Sequence, residues 1–296
     1  MEWDPSRFFR ASGSPFPYAL LVLNQPINEK AVGVLSEYAS YIICADGGAN
    51  RLHDMLKKEG KESSELPDII IGDLDSIRPD VYRHYENLGV TLLRDPDQYS
   101  TDFTKCLKYL NTHATEIVAS PRQSRKFAEK LQDAPLEVVI LGGLGGRVDQ
   151  AFSQVHHLYM MSQTQRELRE ASESDEDLGD NNQNAGGNLY LVSEESVTFV
   201  LQRGKNTICT PATRRADVEE QGQEVEYFFE ENIGIIPLSA PASITTHGFE
   251  WDVEDWHTEI GGQISTSNHI RADRVEVETS VPVLFTVELA ERLKRR

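Results

Sequence analysis

The chain has 296 residues, enough for one large domain or two, each with its own core. Its 39% hydrophobic and 26% charged residues are those of a globular protein, and no apolar stretch approaches the ~20 residues that cross a bilayer. The net charge is −19 with no concentrated basic face, which argues against nucleic acid as a partner.

The start, Met1-Glu2-Trp3-Asp4-Pro5, lacks the basic-then-apolar order of a secretory signal. Cys44, Cys106 and Cys209 are few, odd in number and scattered, so reduced thiols and a cytoplasmic location are expected. Short runs rich in Ile, Val and Leu at 19–23, 41–45, 68–71, 91–93 and 137–141 predict buried parallel strands. Helical patterns fall between and after them, at 29–38, 49–58, 79–87, 101–113 and 149–162. This alternation predicts an α/β N-terminal domain with a mainly parallel, doubly wound sheet over 1–165, binding ligands beyond the carboxyl ends of its strands. Residues 166–188 hold seven acids and two bases among Asn and Gly, and read as an acidic flexible insertion or linker. From 189 to 296 short β runs separated by turn residues predict an all-β C-terminal sandwich domain. Its strands are expected at 189–192, 197–201, 206–209, 234–238, 243–247, 263–265, 274–278 and 283–287. Two further stretches, 120–134 and the acid-rich 217–232, read as excursions between elements.

Four segments of the first half carry chemistry. Asp73 and Asp75 alternate on an extended backbone after a strand, so both project to one side and reach one divalent cation. The plainer alternative is a turn in which an Asp or Ser76 caps the next helix. Asp46-Gly47-Gly48-Ala49-Asn50 has the same context: its glycines either admit amides to an anion at a helix N-terminus or merely turn the chain. Around 97–105, Asp102 is either a cap or an acid that binds metal or accepts a proton. Lys105, one turn on, either meets phosphate or is an exposed helical lysine. The run 142–150 is neither a Walker A loop nor a dinucleotide fingerprint. Even so, Gly145, Gly146 and the Arg147 fork suit phosphate oxygens, and Asp149 is a possible helix cap. In the second half Trp251 offers a face to an organic cation, with Ser265 and Ser267 to orient a polar ligand; a core Trp and an ordinary strand end are the alternative. The histidines lack metal-ligand spacing.

Asp46-Gly47-Gly48-Ala49-Asn50-Arg51, Gly72-Asp73-Leu74-Asp75-Ser76, the runs 97–105 and 142–150, and Ser265-Thr266-Ser267-Asn268 together resemble thiamine pyrophosphokinase, particularly its eukaryotic, fungal-type members. Asn24-Gln25-Pro26, Trp251 and the strand at 275–279 fit the same pattern, which runs from about residue 19 to the C-terminus. The resemblance implies transfer of the β,γ-pyrophosphoryl group of ATP to the hydroxyl of thiamine, giving thiamine diphosphate and AMP, with Mg²⁺ as cofactor and ATP as co-substrate. It makes 1–165 the ATP-binding catalytic domain and 189–296 the thiamine-binding one, and implies a homodimer whose thiamine site is shared between subunits. It implies a catalytic, metal-holding set of Asp46, Asp73, Asp75 and Asp102. ATP and phosphate would be held by Gly47, Gly48, Asn50, Arg51, Lys105, Gly145, Gly146, Arg147 and Asp149. Thiamine would meet Gln98, Thr101, Trp251, Ser265 and Ser267. The three excursions extend beyond the compact family pattern but fall between elements, and Leu74 stands where many relatives carry Phe. A metal-dependent phosphohydrolase and a non-catalytic nucleotide or thiamine sensor are the rival readings. The organic-acceptor wall argues against the first, and the presence of all four acids against the second.

Overall fold

The computed structural model describes residues 1–120, 133–174, 183–215 and 226–295. The chain forms two compact units, one of Ser12–Glu194 and one of Met1–Ala11 together with Glu195–Arg296. The boundary therefore differs from the one expected at 165–189. The opening elements, β1 (Glu2–Trp3) and a 3₁₀ turn (Pro5–Phe9), belong to the second unit.

The unit Ser12–Glu194 holds, in chain order, β2 (Tyr18–Val22), α1 (Glu29–Tyr38), β3 (Tyr41–Ala45), α2 (Gly48–Lys58), β4 (Ile69–Gly72), α3 (Pro79–Asn87), β5 (Thr91–Arg94), α4 (Asp102–Thr112), α5 (Ala114–Ala119), β6 (Glu137–Leu141), α6 (Val148–Ser174) and β7 (Leu189–Val192). The six strands pair in parallel in the order β7-β6-β2-β3-β4-β5. Every residue of β2, β6 and β7 is buried, as both-face burial of a parallel sheet requires. The chain starts at β2, steps outward to β5, then returns to the other side of β2 as β6. The order thus reverses beside β2, where such sheets open a crevice beyond the carboxyl ends of their strands. Local sequence starts the helices: the Ala31 amide donates to Asn28 Oδ1 at 3.2 Å, and the Thr104 amide to Thr101 Oγ1 at 3.3 Å. The buried face of α4 is Phe103, Cys106, Leu107 and Leu110, at helical spacing.

Two expectations fail here. The last helix runs on to Ser174, so 166–174 is not a linker. Polar residues anchor this second half: Gln165 accepts from Asn111 at 2.7 Å and donates to the Gly187 carbonyl at 3.0 Å. The Arg169 guanidinium donates to the Gly186 carbonyl and Asn188 Oδ1. Residues 183–188 are likewise tied down, Asn184 exchanging hydrogen bonds with Ala134 and Leu136. The part of the acidic insertion at 175–182 lies outside the described residues, as do 121–132 and 217–225 of the other two. Second, β7 is not a sandwich strand; it pairs in parallel with β6, from Val138 opposite Leu189 to Leu141 opposite Val192.

The second unit adds β8 (Ser196–Leu201), β9 (Gly204–Cys209), β10 (Phe229–Pro237), β11 (Ala242–His247), β12 (Trp256–Thr258), β13 (Ser265–His269), β14 (Arg274–Thr279) and β15 (Val283–Leu289). They form two layers, β1-β9-β14-β11-β12 and β13-β10-β15-β8, antiparallel except for the parallel pair β1–β9. Between the layers Phe199 stacks on Trp3 at 5.0 Å between centroids, and Phe285 lies 5.3 Å from Phe199 and 6.5 Å from Phe249. The all-β architecture is as expected, but β1 and β12 were not, and β13 replaces the strand expected at 263–265. Two- and three-residue strands are too short to show a period. All three cysteines are unpaired, and no described helix is long and apolar enough to cross a membrane.

Candidate active site

The strand ends of the parallel sheet gather the acids. Asp46 follows β3, Asp73 and Asp75 follow β4, and Asp102 opens α4 after β5. One carboxylate oxygen from each of Asp46, Asp73 and Asp75 lies within 4.8 Å of the others, a spacing one cation can bridge. Asp46 is buried, Asp73 half-buried and Asp75 exposed, so the set runs from the sheet out to solvent. Asp46 Oδ1 is buried and receives no hydrogen bond, while Oδ2 accepts from the Ser76 amide at 3.2 Å. A buried, unpartnered carboxylate oxygen beside two more carboxylates suits a divalent cation. Burial pushes the Asp46 carboxyl up to about 6, with the Asp102 and Asp73 charges adding to it and the Ser76 amide opposing.

The backbone makes room for this crowding. A Cβ at Gly72 would lie 2.6 Å from Asp46 Cβ and 3.1 Å from Asp102 Oδ1, so only glycine there admits both acids. A Cβ at Gly48 would lie 2.2 Å from the Val22 carbonyl, so glycine lets α2 start against β2. Asp46 and Leu74 hold φ of +37° and +64°, left-handed backbone that non-glycine residues seldom adopt and that marks strain at the site.

Several other expected residues fall at the same end of the sheet. Gln98 donates to Asp73 Oδ2 at 3.0 Å and holds that carboxyl below its usual range, helped by the Asp75 amide. Thr101 caps α4. The Lys105 side chain is only 3% exposed, and its Nζ donates to the Asp95 carbonyl at 3.0 Å and to Asp102 Oδ1 at 3.3 Å. It is therefore the counter-charge of Asp102 rather than an exposed helical lysine. Burial raises the Asp102 carboxyl, against the pull of Lys105. Asn50 faces the turn after Asp75, and Arg51 Nε donates to Asn24 Oδ1 at 3.2 Å, beside Gly47.

The glycine-rich turn after β6 holds a surprise. The Leu144 amide donates to Glu194 Oε2 at 3.2 Å, and a Cβ at Gly143 would lie 2.4 Å from Glu194 Oε1. A carboxylate of the chain itself thus sits where an anion was expected. Glu194 follows β7, and the misplacement of that strand hid it; reading 189–192 as parallel would have brought Ser193 and Glu194 to the crevice. Arg147 is 75% exposed and forms a fork with Asp149, Nε to Oδ1 at 3.1 Å and a terminal nitrogen to Oδ2 at 2.5 Å. The Arg147 partner holds the Asp149 carboxyl low. Gly145 and Gly146 are exposed beside them. Ser76 was also missed as a site residue, though it hydrogen-bonds two of the acids: its hydroxyl donates to Asp75 Oδ1 at 2.9 Å.

Trp251, Ser265 and Ser267 lie in the all-β unit. Trp251 is 55% exposed and so is not a core Trp. It lines a cleft of about 200 Å³ with Thr246, Trp256, Ile264, Ser265 and Asn268. The Asn268 amide fixes the Trp251 backbone from both ends, at 2.9 and 3.2 Å. Ser267, with φ +64°, is outside that lining.

Comparisons with known proteins show the family. Residues 33–169 match the family model "Thiamin pyrophosphokinase, catalytic domain" and residues 217–284 match "Thiamin pyrophosphokinase, vitamin B1 binding domain". Thiamine pyrophosphokinase 1 of Arabidopsis thaliana is 30% identical over 92% of this chain and 86% of its own length. That of Oryza sativa subsp. japonica is 30% identical over 96% of both. The solved thiamin pyrophosphokinase from Candida albicans superposes with a TM-score of 0.73 at 25% identity, covering 98% of this chain and 93% of the other. With its acids at the strand ends of one unit and its tryptophan cleft in the other, the chain belongs to the thiamine pyrophosphokinase family.

Proposed function

We propose that this thiamine pyrophosphokinase runs its diphosphotransferase reaction on the acid cluster at the strand ends, with Mg²⁺ held by Asp46, Asp73 and Asp75. The β,γ-pyrophosphoryl group of ATP passes to the hydroxyl of thiamine, giving thiamine diphosphate and AMP. The observation that carries the site is the gathering of one carboxylate oxygen from each of Asp46, Asp73 and Asp75 within 4.8 Å, on a buried Asp46 whose Oδ1 has no hydrogen-bond partner among the described residues. When bound, the cation supplies charge neutralisation on the triphosphate, which in phosphoryl transfer does most of the work together with positioning.

The chain's own residues do the rest. Arg147, exposed and paired among the described residues with its neighbour Asp149, exchanges that partner for phosphate oxygens, with Gly145 and Gly146 beside it. Gly47, Gly48 and the start of α2 present amides to the phosphates, and Arg51 adds positive charge at the same end. The alcohol proton goes to a carboxylate. Asp102, raised by burial, is the better acceptor; Gln98 holds Asp73 low. Trp251 receives the thiazolium cation with Ser265 and Ser267, while Gln98 and Thr101 serve the thiamine end of the acid cluster. Two copies of the chain share the thiamine site as a homodimer in the cytoplasm, and sedimentation of the purified protein at a single-chain mass would refute the pairing.

Product analysis tests the reaction. Incubation with ATP, thiamine and Mg²⁺ is expected to give thiamine diphosphate and AMP in equal amounts. ADP would indicate single-phosphate transfer, and phosphate release without thiamine a hydrolase. Asp73→Asn and Asp75→Asn are each expected to lower kcat at least 100-fold, on the order of 3 kcal/mol of transition-state stabilisation. Near-normal turnover and Mg²⁺ dependence in either would remove the metal assignment.

A further inference from the structure

We infer that Asn50 acts as a positioning residue: it locks the turn that presents the metal-binding acids, and does not serve as a contact to phosphate. The inference rests on the reading of Asp46, Asp73 and Asp75 as the cation site.

The carboxamide of Asn50 faces the turn with both ends. Its Nδ2 donates to the Ser76 carbonyl at 2.8 Å, and its Oδ1 accepts from the Arg78 amide at 3.0 Å. Ser76, whose carbonyl is the first of those anchor points, is also the residue that touches the acids. Its amide donates to Asp46 Oδ2 at 3.2 Å and its hydroxyl to Asp75 Oδ1 at 2.9 Å. The Asp75 amide in turn donates to Asp73 Oδ1 at 3.2 Å. One side chain thus holds the carbonyl of the residue that orients two of the three carboxylates and the amide two residues on, and the third carboxylate is tied to the second.

The turn needs such a restraint. Leu74, between Asp73 and Asp75, sits at φ +64°, a conformation that an unrestrained leucine leaves. The same helix supplies a second grip one turn later. Asp54, four residues beyond Asn50 and on the same face of α2, takes the Arg78 guanidinium with both carboxylate oxygens. That partner holds the Asp54 carboxyl down to about 2. Helix α2 therefore clamps 76–78 at two points, a neutral one nearest the acids and an ionic one at the rim. Residues that orient metal ligands in this way commonly change metal affinity 10- to 100-fold when removed.

The test measures the cation directly, with Mn²⁺ as the probe on nucleotide-free protein by electron paramagnetic resonance. Asn50→Ala is expected to weaken Mn²⁺ binding about 10-fold. The Mg²⁺ concentration for half-maximal turnover should rise by a similar factor, while kcat at saturating Mg²⁺ and the KM for thiamine stay near wild type. Arg78→Ala, which removes the rim pair and a longer contact with Asp80, should move both metal readouts in the same direction by a smaller factor, and carries the test if Asn50→Ala does not fold. Unchanged Mn²⁺ binding in a folded Asn50→Ala, with a raised KM for ATP at saturating Mg²⁺, would overturn the inference in favour of a phosphate contact. Asp73→Asn separates the two levels. If it binds Mn²⁺ as wild type does, the cation reading itself fails; if it loses Mn²⁺ while Asn50→Ala keeps it, only the positioning role fails.

Discussion

Asp46 sits where stability and function pull in opposite directions. Its carboxyl is raised from 3.8 to about 6, chiefly by burial, so the folded chain holds a proton that the unfolded chain has already released. The sign follows from that difference in bound protons. Without a cation, folding is unpenalised by this group below about pH 4, loses stability as pH rises toward 6, and bears the full cost above it. Asp46→Asn removes the buried charge, and asparagine tolerates the φ of +37° at least as well. The variant is expected to melt a few degrees higher than wild type at pH 8 in a chelator, with the gain shrinking toward pH 4, and to lose most activity. A lower melting temperature at pH 8 would show that the carboxylate is stabilised by something other than a cation.

At the scale of the element, α6 shows what a period in the sequence can and cannot reveal. Its first half was legible from apolar spacing. Its second half is held by Gln165 and Arg169, which bind backbone carbonyls of 186–187, and no hydropathy pattern records such bonds. Gln165→Leu, at a side chain that is buried and bonded at both ends, is expected to cost about 1–3 kcal/mol in urea unfolding, because it strands the Gly187 carbonyl and the Asn111 amide. Arg166→Ala, which breaks a long, partly exposed pair with Glu170, should change stability by less than Gln165→Leu does, by about 1 kcal/mol or less. The same lesson covers β7. Leu189–Val192 is uniformly apolar and four residues long, which fits a parallel strand as well as a sandwich core, and its position after an acidic run favoured the wrong one. The acids were legible because strand ends and aspartates sit next to each other in sequence. The partners of those acids were not: Ser76 and Lys105 act through turn and helix geometry, and Glu194 arrives from a strand 50 residues beyond the turn it enters.

At the scale of the whole molecule, the second unit is built from both ends of the chain. Trp3 stacks on Phe199, and its Nε1 donates to Asn206 Oδ1 at 3.0 Å. Trp3→Ala is therefore expected to destabilise the all-β unit by about 3–5 kcal/mol, as for a core aromatic, seen as an earlier unfolding transition in urea followed by circular dichroism. A shift under about 0.5 kcal/mol would mean that Met1–Ala11 is an appendage. The order of synthesis gives this arrangement a further meaning. Trp3, Phe8 and Phe9 leave the ribosome before the α/β unit, yet the strands of their own unit come after residue 195. For the time needed to translate the entire α/β unit, these three aromatics have no native surface to join. The first unit can close while the second is still incomplete, and the nascent chain must carry this exposed apolar segment until the strands after residue 195 appear. Cutting between Glu194 and Glu195 would accordingly not yield two foldable pieces; the all-β half would need Met1–Ala11 grafted back before it could be made alone.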